Sequence, residues 1–465
     1  MTASTLGSVA PTAGRRSLAL FIVLAAQCMF AMDLLIVVVA LPRIQQDLGF
    51  DAAALTWVLN AFGLAFGGLL LIGGRLGDMI GQVRAFRTGL AVFVLASLLG
   101  GLAQTPGILV AARVLQGMGA ALAGPSVLAL VMVMARNPTE QARGMSLFIA
   151  VSTVGASAGL ILGGALTEFF SWRWSLLVNV PVGTLVVLAV GRLVAETHPK
   201  PARLDVVGAS TATLGSVALV YGFISAADSG WAYFGTILSF VAAVALFVVF
   251  VRTEETHKEP LLDLRLLQDR SRVGGLAVMA LIVGVHFSLL FILVQYLQRV
   301  LGYTPLVAGL AYLPLTATVF AISQFVPRLI RRFGTRGLLA TGSVLVAASL
   351  LGFALLGNDD GYFPAVLVPL VLHAIGIALV FAPGTVAIMH GVPDAHAGAA
   401  SGLLQMDQQI GGALGIAVIT SIYAVAAEPG QYVSGLPAAF GGGAVIALAS
   451  AIVAWIAIRG RARPP

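Results

Sequence analysis

The sequence predicts an all-α membrane protein with fourteen transmembrane helices, and its composition, its hydropathy and its loop charges support this class. Hydrophobic residues make up 59% of the 465 positions, charged residues make up 10%, and the mean hydropathy is +1.00. Soluble domains carry roughly a quarter charged residues. We therefore expect a lipid bilayer around this chain, which each apolar run of about 20 residues crosses as a helix.

Hydropathy windows of about 19 residues mark the spans in order along the chain. They cover residues 18–41, 55–73, 88–104, 107–134, 144–167, 175–193, 206–226, 233–251, 273–297, 304–326, 338–356, 363–386, 399–424 and 436–457. We group them as an N-terminal six-helix bundle (1–193), two inserted helices (194–251), a cytoplasmic linker (252–272) and a C-terminal six-helix bundle (273–465). The linker is the longest polar stretch, which is typical of a connection between two bundles.

The basic residues predict the orientation, because loops on the cytoplasmic side of a membrane collect Lys and Arg. Loops 226–234 and 357–364 contain no basic residue, whereas the turn 327–337 contains four arginines. This alternation predicts that both termini are cytoplasmic. Arg outnumbers Lys, and Ala and Gly are abundant, which favours a GC-rich bacterial genome and hence the inner membrane of a bacterium.

Composition and motifs exclude several other classes of function. The net charge is +7 and the pI is near 10.0, but the basic residues are scattered among short loops, so we expect no nucleic-acid partner. The only cysteine, Cys28, lies in the first span, and no Cys/His cluster has metal-ligand spacing. Nucleotide-binding and catalytic motifs are also missing from the sequence. We expect no enzyme activity, no cofactor and no metal, and we expect an ion gradient to supply the energy.

The turn after the second span, GRLGDMIGQVR, contains Gly74, Asp78, Gly81 and Arg84. Arginines in this turn can pair with Asp78 or with facing helix ends. Such contacts would hold the two bundles together on the cytoplasmic side and release when that side opens. The alternative interpretation is a plain positive-inside turn with one compensating acid.

The fifth span contains a stripe of glycines that predicts close helix packing. Gly155, Gly159 and Gly163 repeat every four residues, so they share one helix face, and Gly164 follows directly. A face without side-chain bulk lets another helix approach backbone to backbone. Ordinary tight packing is the alternative, since this spacing is common in membranes.

These motifs and four others, taken in order along the chain, resemble the fourteen-helix drug:proton antiporter branch of the major facilitator superfamily. The turn after the second span is similar to the superfamily's loop between helices 2 and 3, and GASAGLILGG to the antiporter motif of helix 5. The other four are MDLLIVVVALP, LVAARVLQGMGAA, WRWSLLVNVPVG and ASGLLQMDQQIGGALG. In this chain Leu160 stands where the helix 5 motif usually has proline, so flexibility there depends on glycine alone.

The resemblance implies two six-helix bundles around a central cleft, with two extra helices, and transport by alternating access. It also implies the function, which is proton-coupled export of hydrophobic or amphipathic small molecules such as antibiotics. The alternative is a proton symporter that imports a small metabolite with the same fold. We expect a small-molecule substrate, protons and the lipid bilayer as partners, and a monomeric protein.

Asp33 is the leading candidate for proton coupling, because it lies in the apolar stretch FAMDLLIVVVALP. A carboxylate inside the membrane costs about 2.5 to 3.5 kcal/mol on insertion scales, so it indicates function. Burial favours the neutral carboxyl group and a nearby cation favours the carboxylate, so such an acid can gain and lose a proton as the cleft alternates. Arg113 in the fourth span lies at a similar depth and could tune this equilibrium. A permanent Asp33–Arg113 ion pair that only fixes packing is the alternative.

We predict a substrate site from Asp407, Gln405 and Gln408 in the thirteenth span, together with Asn60 and Trp57 in the second span. An acid flanked by amides could bind a cation or hydrogen-bond a polar ligand. Alternatively, Asp407 reaches cytoplasmic water and Trp57 is an interfacial anchor. Two further polar residues, His286 and His373, lie near the middle of the membrane, and we interpret both as packing residues.

Overall fold

The computed structural model describes residues 13–51, 54–135, 137–194, 196–197, 199, 205–256, 267–392, 397–428 and 430–458. Both chain ends and the middle of the predicted linker 252–272 lie outside the described residues. The prediction of fourteen membrane-spanning helices is confirmed: fourteen helical segments are long and apolar enough to cross a bilayer.

The described spans are built from sixteen α-helices, because two spans contain a short break. The helices are α1 (Ala13–Leu48), α2 (Trp57–Ile80), α3 (Gln82–Gly101), α4 (Pro106–Met134), α5 (Pro138–Phe169), α6 (Trp174–Leu177), α7 (Asn179–Leu193), α8 (Val206–Ser229), α9 (Phe234–Thr256), α10 (Arg270–Arg299), α11 (Pro305–Leu310), α12 (Leu313–Ser323), α13 (Val326–Phe353), α14 (Leu367–Met389), α15 (Ala397–Ala426) and α16 (Leu436–Ala457). The pairs α6–α7 and α11–α12 each form one span.

Several helices extend past the apolar spans that hydropathy predicts. α1 continues through Pro42 to Leu48, so this proline does not end the helix. α5 begins before its apolar run at Pro138, because the Asn137 side chain accepts a hydrogen bond from the Glu140 backbone N–H at 2.8 Å and caps the helix. α13 includes most of the basic turn 327–337 and is kinked at Gly334, where φ is 75°. Hydropathy windows detect only the apolar part of a helix, so they miss these polar extensions.

The helices pack as two groups and a connecting pair. α1–α7 pack with one another and form the N-half, and α10–α16 pack with one another and form the C-half. α8 and α9 pair with each other, and α8 also packs on both α2 and α15. Leu64 of α2, Val220 of α8 and Ala413 of α15 belong to one apolar cluster. The inserted pair therefore lies against the line where the two halves meet.

An even number of spans brings the start of α1 and the end of α16 to the same face, which we call the terminal face. The opposite face, where α1 ends and α2 begins, is the distal face. Near the terminal face a largely apolar groove of about 860 Å³ lies between α1 and α5, with Glu140 and Arg143 among its lining residues.

Near the distal face the two halves are in direct contact. The Gln298 amide donates to the Val39 carbonyl oxygen at 2.8 Å, and the Leu306 backbone N–H donates to the Glu168 carboxylate at 2.9 Å. Arg299 also donates to Gln45. The distal end of the cleft between the halves is thus closed by contacts from α1 and α5 to α10 and α11.

Candidate functional site

Asp33 lies in the middle of the N-half and is completely buried. Its Oδ2 accepts a hydrogen bond from Arg113 Nη1 at 2.6 Å. Its Oδ1 accepts from Asn179 Nδ2 at 2.6 Å and from Gln116 Nε2 at 3.2 Å. The structure therefore brings Asp33 and Arg113 together, and three donors from α4 and α7 hold the carboxylate of α1.

Arg113 is also completely buried, and two of its three guanidinium nitrogens have hydrogen-bond partners among the described residues. Nε donates to the Val58 carbonyl oxygen at 2.9 Å, and Nη1 donates to Gln116 Oε1 at 2.9 Å as well as to Asp33. The guanidinium carbon lies 4.5 Å from the centroid of the Phe62 ring. Among the described residues Nη2 has no hydrogen-bond partner.

Three residues of this cluster were not predicted from the sequence: Ser97, Gln116 and Asn179. The Ser97 hydroxyl accepts from Gln116 Nε2 at 2.8 Å, so it fixes the amide that holds Asp33. Gln116 follows Arg113 by three residues and thus shares its helix face, which is a signal that the sequence offers. Asn179 and Ser97 are uncharged polar residues in largely apolar segments, and the sequence alone does not indicate which way they face.

The cluster pairs a buried carboxylate with a buried guanidinium. Removing two charges from water is costly, and the cost is recovered only when the pair has good geometry and further hydrogen bonds. The hydrogen bonds from Gln116 and Asn179 to Asp33 meet the second condition. Loss of either member of the pair would leave an uncompensated buried charge.

The predicted substrate residues are distributed over different environments. Asn60 is buried in a cavity of about 20 Å³ between the halves, which Arg113 and Gln409 also line. Trp57 instead packs against the apolar cluster that joins α2, α8 and α15. Gln405 and Gln408 are partly buried on α15 and lie outside the lining of this cavity. The glutamine of α15 that lines the cavity together with Asn60 is Gln409.

Asp407 lies on α15 one turn before Gly411, whose backbone packs on Ala280 of α10. Its Oδ2 is buried and has no hydrogen-bond partner among the described residues. The Asp407 side chain is nevertheless partly exposed, so the substrate contact and the acid that reaches water both stay predictions. A buried polar atom without a partner is costly, and a ligand would supply that partner.

The α2–α3 turn is held by the segment that follows α7. The Glu196 carboxylate accepts hydrogen bonds from the backbone N–H groups of Val83 (2.9 Å) and Arg84 (3.0 Å), and lies 3.8 Å from Arg84 Nε. Asp78 accepts from the Gln82 amide at 3.0 Å. These partners of Asp78 and Arg84 all belong to the N-half or its end, so the expected contact between the bundles stays a prediction. Gly74 packs on Pro125 of α4.

Gly81 needs its lack of a side chain for two reasons. Its φ is 98°, and a Cβ there would lie 2.5 Å from the Glu196 carboxylate. L-residues rarely adopt such a backbone conformation. The glycine therefore allows Glu196 to cap the N-terminus of α3, where a negative charge is favourable.

The glycine stripe of α5 contacts mainly α1 of the same half. A Cβ at Gly155 would lie 2.7 Å from the Cys28 carbonyl oxygen, and one at Gly159 would lie 2.5 Å from that of Met32. Gly163 packs on the backbone of Ile36 in the same way. The contact with the C-half comes from Gly164, whose Cβ would lie 2.5 Å from the Pro305 carbonyl oxygen.

The two membrane histidines form a hydrogen-bonded chain in the C-half. His286 Nδ1 lies 3.1 Å from His373 Nε2, and His373 Nδ1 lies 3.1 Å from the Ser349 hydroxyl oxygen. Their rings are stacked with centroids 5.4 Å apart. The chain ties α10 to α14 and α13, in keeping with the packing interpretation.

These features define a class: a helical, multi-pass membrane transporter whose two halves meet around a buried polar site. The chain matches the sequence model of the Major Facilitator Superfamily over residues 23–416. It belongs to the Major Facilitator Superfamily.

Similar proteins include the cephamycin export protein CmcT of Amycolatopsis lactamdurans, which is 37% identical over 442 residues (94% of this chain and 91% of that protein). The puromycin resistance protein pur8 of Streptomyces alboniger is 38% identical over 415 residues (88% and 82%). The uncharacterized MFS-type transporter EfpA of Mycobacterium tuberculosis is 37% identical over 397 residues (85% and 75%).

The fold is also found among solved structures. The crystal structure of the peptide transporter POT in complex with sulfate superposes with a TM-score of 0.70 and covers 94% of this chain and 93% of that one. Its sequence identity is 15%, so this likeness concerns the fold.

Proposed function

We propose that the protein exports hydrophobic or amphipathic small molecules, antibiotics among them, in exchange for protons. Two observations support export: the similarity to the cephamycin export and puromycin resistance proteins, and the match along most of their length. The observation that carries proton exchange is the completely buried Asp33 carboxylate held by Arg113, Gln116 and Asn179.

Asp33 is the proton-binding group in this proposal, and Arg113 is the group that responds to it. With Asp33 ionised, the pair ties α1 to α4, and Asn179 ties α1 to α7. With Asp33 protonated, the guanidinium loses its countercharge and the cluster favours an arrangement in which water reaches it. The proton thus biases the equilibrium between two arrangements of the halves, as alternating access requires.

We infer that the terminal face is cytoplasmic and that the membrane is the inner membrane of a bacterium. The basic turn of α13 lies at this face, and the distal loop 357–364 has no basic residue. On this orientation the conformation described here is closed toward the outside. The α1–α5 groove then opens near the cytoplasmic side, from which an exported molecule must come.

Asp407 is our candidate for contact with the cargo, since one of its carboxylate oxygens, Oδ2, is buried and lacks a hydrogen-bond partner among the described residues. A cationic or hydrogen-bonding cargo would supply one. Asn60, which lines the cavity between the halves, also remains a predicted cargo contact, as do Gln405, Gln408 and Trp57. The protein acts as a monomer in this proposal.

Proteoliposomes test the proposal directly. Vesicles with the terminal face outward and an acidic interior should accumulate puromycin, and a protonophore should abolish the accumulation. A proton moving across 100 mV contributes about 2.3 kcal/mol, enough for a concentration ratio of roughly fifty. Puromycin that moves in the same direction as protons would instead identify the symporter alternative, and accumulation without any gradient would contradict both.

A further inference from the structure

The cavity of about 20 Å³ between the halves is lined by several polar atoms that have no hydrogen-bond partner among the described residues. It lies where α1, α2 and α4 of the N-half meet α10 and α15 of the C-half. Asn60 and Arg113 contribute from one side, and Phe287 and Gln409 contribute from the other. It thus connects the Asp33 cluster to the opposite half of the molecule.

Three hydrogen-bonding groups converge on this space. Arg113 Nη2 and both polar atoms of the Asn60 amide are buried and have no hydrogen-bond partner among the described residues. The Gln409 side chain reaches toward α2, where its Oε1 would lie 3.4 Å from a Cβ at Gly63. Buried polar groups in native proteins are almost always satisfied by another group or by ordered water.

The volume of the cavity and the polar groups that line it indicate which molecule it can bind. A water molecule needs about 10 to 15 Å³ of this kind of space and two to four polar partners. Drug-sized ligands need roughly 300 Å³ or more, so cargo does not fit here. Arg113 Nη2 can only donate, whereas the two amides can donate or accept, which matches the two donors and two acceptors of water.

We propose that this cavity binds one water molecule that links Arg113 to Gln409, and that this bridge couples the charge state of Asp33 to the contact between α2 and α15. The inference rests on the proposed proton exchange. Gln409 is a positioning residue in it, because it acts on Asp33 through water and Arg113. The water and the Gln409 amide can move away from Arg113 only if α2 and α15 separate. Through this bridge, binding of a proton to Asp33 changes the contact between the N-half and the C-half.

The first test is a crystal or electron cryo-microscopy structure at a resolution that shows ordered water. We expect one solvent peak within hydrogen-bond distance of both Arg113 Nη2 and the Gln409 amide. An empty cavity, or a Gln409 amide bonded directly to Arg113, would overturn the proposal whether or not proton exchange is correct.

The second test uses Gln409→Met and Gln409→Glu, and it measures the midpoint pH of puromycin-driven proton release by the purified protein. Methionine fills similar space without the amide, so the guanidinium loses solvation and stabilises the Asp33 carboxylate more strongly. The midpoint should shift by about one unit to acidic pH. Glutamate would compete for Arg113, so the midpoint should shift to alkaline pH. A purely structural role for Gln409 does not predict opposite shifts.

Gln295→Met is the matched control, because Gln295 is a buried glutamine of α10 that donates to the Phe291 carbonyl oxygen of its own helix and lies outside the cavity lining. Its midpoint pH should equal that of the wild type. A wild-type midpoint in both Gln409 variants would overturn the proposed bridge. If the wild-type protein bound puromycin and released no protons, the proposed exchange itself would fail, so the two failures can be told apart.

Discussion

At the scale of single residues, the account depends on how many donors hold Asp33. Arg113 supplies charge, while Gln116 and Asn179 supply hydrogen bonds that fix both carboxylate oxygens. Charge-assisted hydrogen bonds of this length are among the stronger interactions in proteins. In the proposed mechanism these donors must rearrange when Asp33 binds a proton, so we expect proton binding and movement of α1 to occur together.

Replacing Asp33 with asparagine should therefore make cargo binding independent of pH. In the wild type, a protonated Asp33 competes with cargo, so puromycin affinity should fall as the pH is lowered. The Asp33→Asn variant keeps the shape of the side chain but cannot exchange a proton. Binding titrations between pH 5 and pH 8 would check this, with thermal unfolding as the control for folding. A wild-type pH dependence in the variant would exclude Asp33 as the coupled group.

The sequence was sufficient to pair Asp33 with Arg113, because each is a lone charge in an apolar helix at a similar depth. It was not sufficient to choose among the glutamines of α15. Gln405, Gln408 and Gln409 lie within about one turn of one another, and the sequence does not indicate which of them faces α2. The choice of Gln409 follows from the packing of α15 on Gly63 and Gly67 of α2.

At the scale of helices, the glycine stripe of α5 lets α5 pack backbone to backbone against α1. Gly159→Ala would place a methyl group 2.5 Å from the Met32 carbonyl oxygen, next to Asp33. Overpacking of this kind typically costs about 1 to 3 kcal/mol. We expect a lower unfolding temperature and weaker transport. Gly441→Ala in α16 is the control, since nothing lies within 4 Å of its Cβ position. Equal stability of the two variants would argue against a tight α1–α5 contact.

The turn between α2 and α3 permits a second matched comparison. Gly81 and Gly230 have similar φ values of 98° and 93°, but nothing lies within 4 Å of a Cβ at Gly230. Both alanine variants should lose about 1 to 2 kcal/mol to backbone strain. Gly81→Ala should lose more, because it also displaces the Glu196 cap. Chemical denaturation measures both variants, and an equal loss would mean that Glu196 contributes little.

The number of helices was predictable because bilayer thickness sets a minimum apolar length, whereas their ends were not. The cap joins Glu196 to Val83, more than 100 positions away, and no local sequence pattern predicts it. The break at Val178 and the kink at Gly334 likewise divide continuous apolar or basic patterns. Such features depend on the neighbouring helices, which hydropathy does not specify.

At the scale of the whole molecule, the contacts between the halves near the distal face close one end of the cleft, and an alternating cycle requires a second arrangement in which these contacts are broken. The fold class and the even number of spans follow from composition and hydropathy, but the state does not. Which end of the cleft is closed depends on a few contacts, such as that of Gln298 with Val39, that must break and re-form. The same sequence must be compatible with the outward-closed and the outward-open arrangement, so it does not indicate which of the two a given structure shows.

The proposed orientation predicts which sites are accessible to a membrane-impermeant thiol reagent. In a Cys28→Ser background, Asp359→Cys in the exposed distal loop should react in intact cells. Arg331→Cys in the exposed basic turn should react only after the cells are permeabilised. The opposite pattern would reverse the orientation and with it the proposed direction of transport.

The central claim is that Asp33 exchanges a proton for cargo, and the flux of protons against puromycin in proteoliposomes tests it most directly. A pH-sensitive dye inside the vesicles records proton movement while puromycin is added outside at zero voltage. We predict that protons leave the vesicles as puromycin enters through the wild-type protein, and that Asp33→Asn, folded and able to bind puromycin, moves none. Equal proton movement in the variant, or puromycin entry without protons in the wild type, would contradict the account.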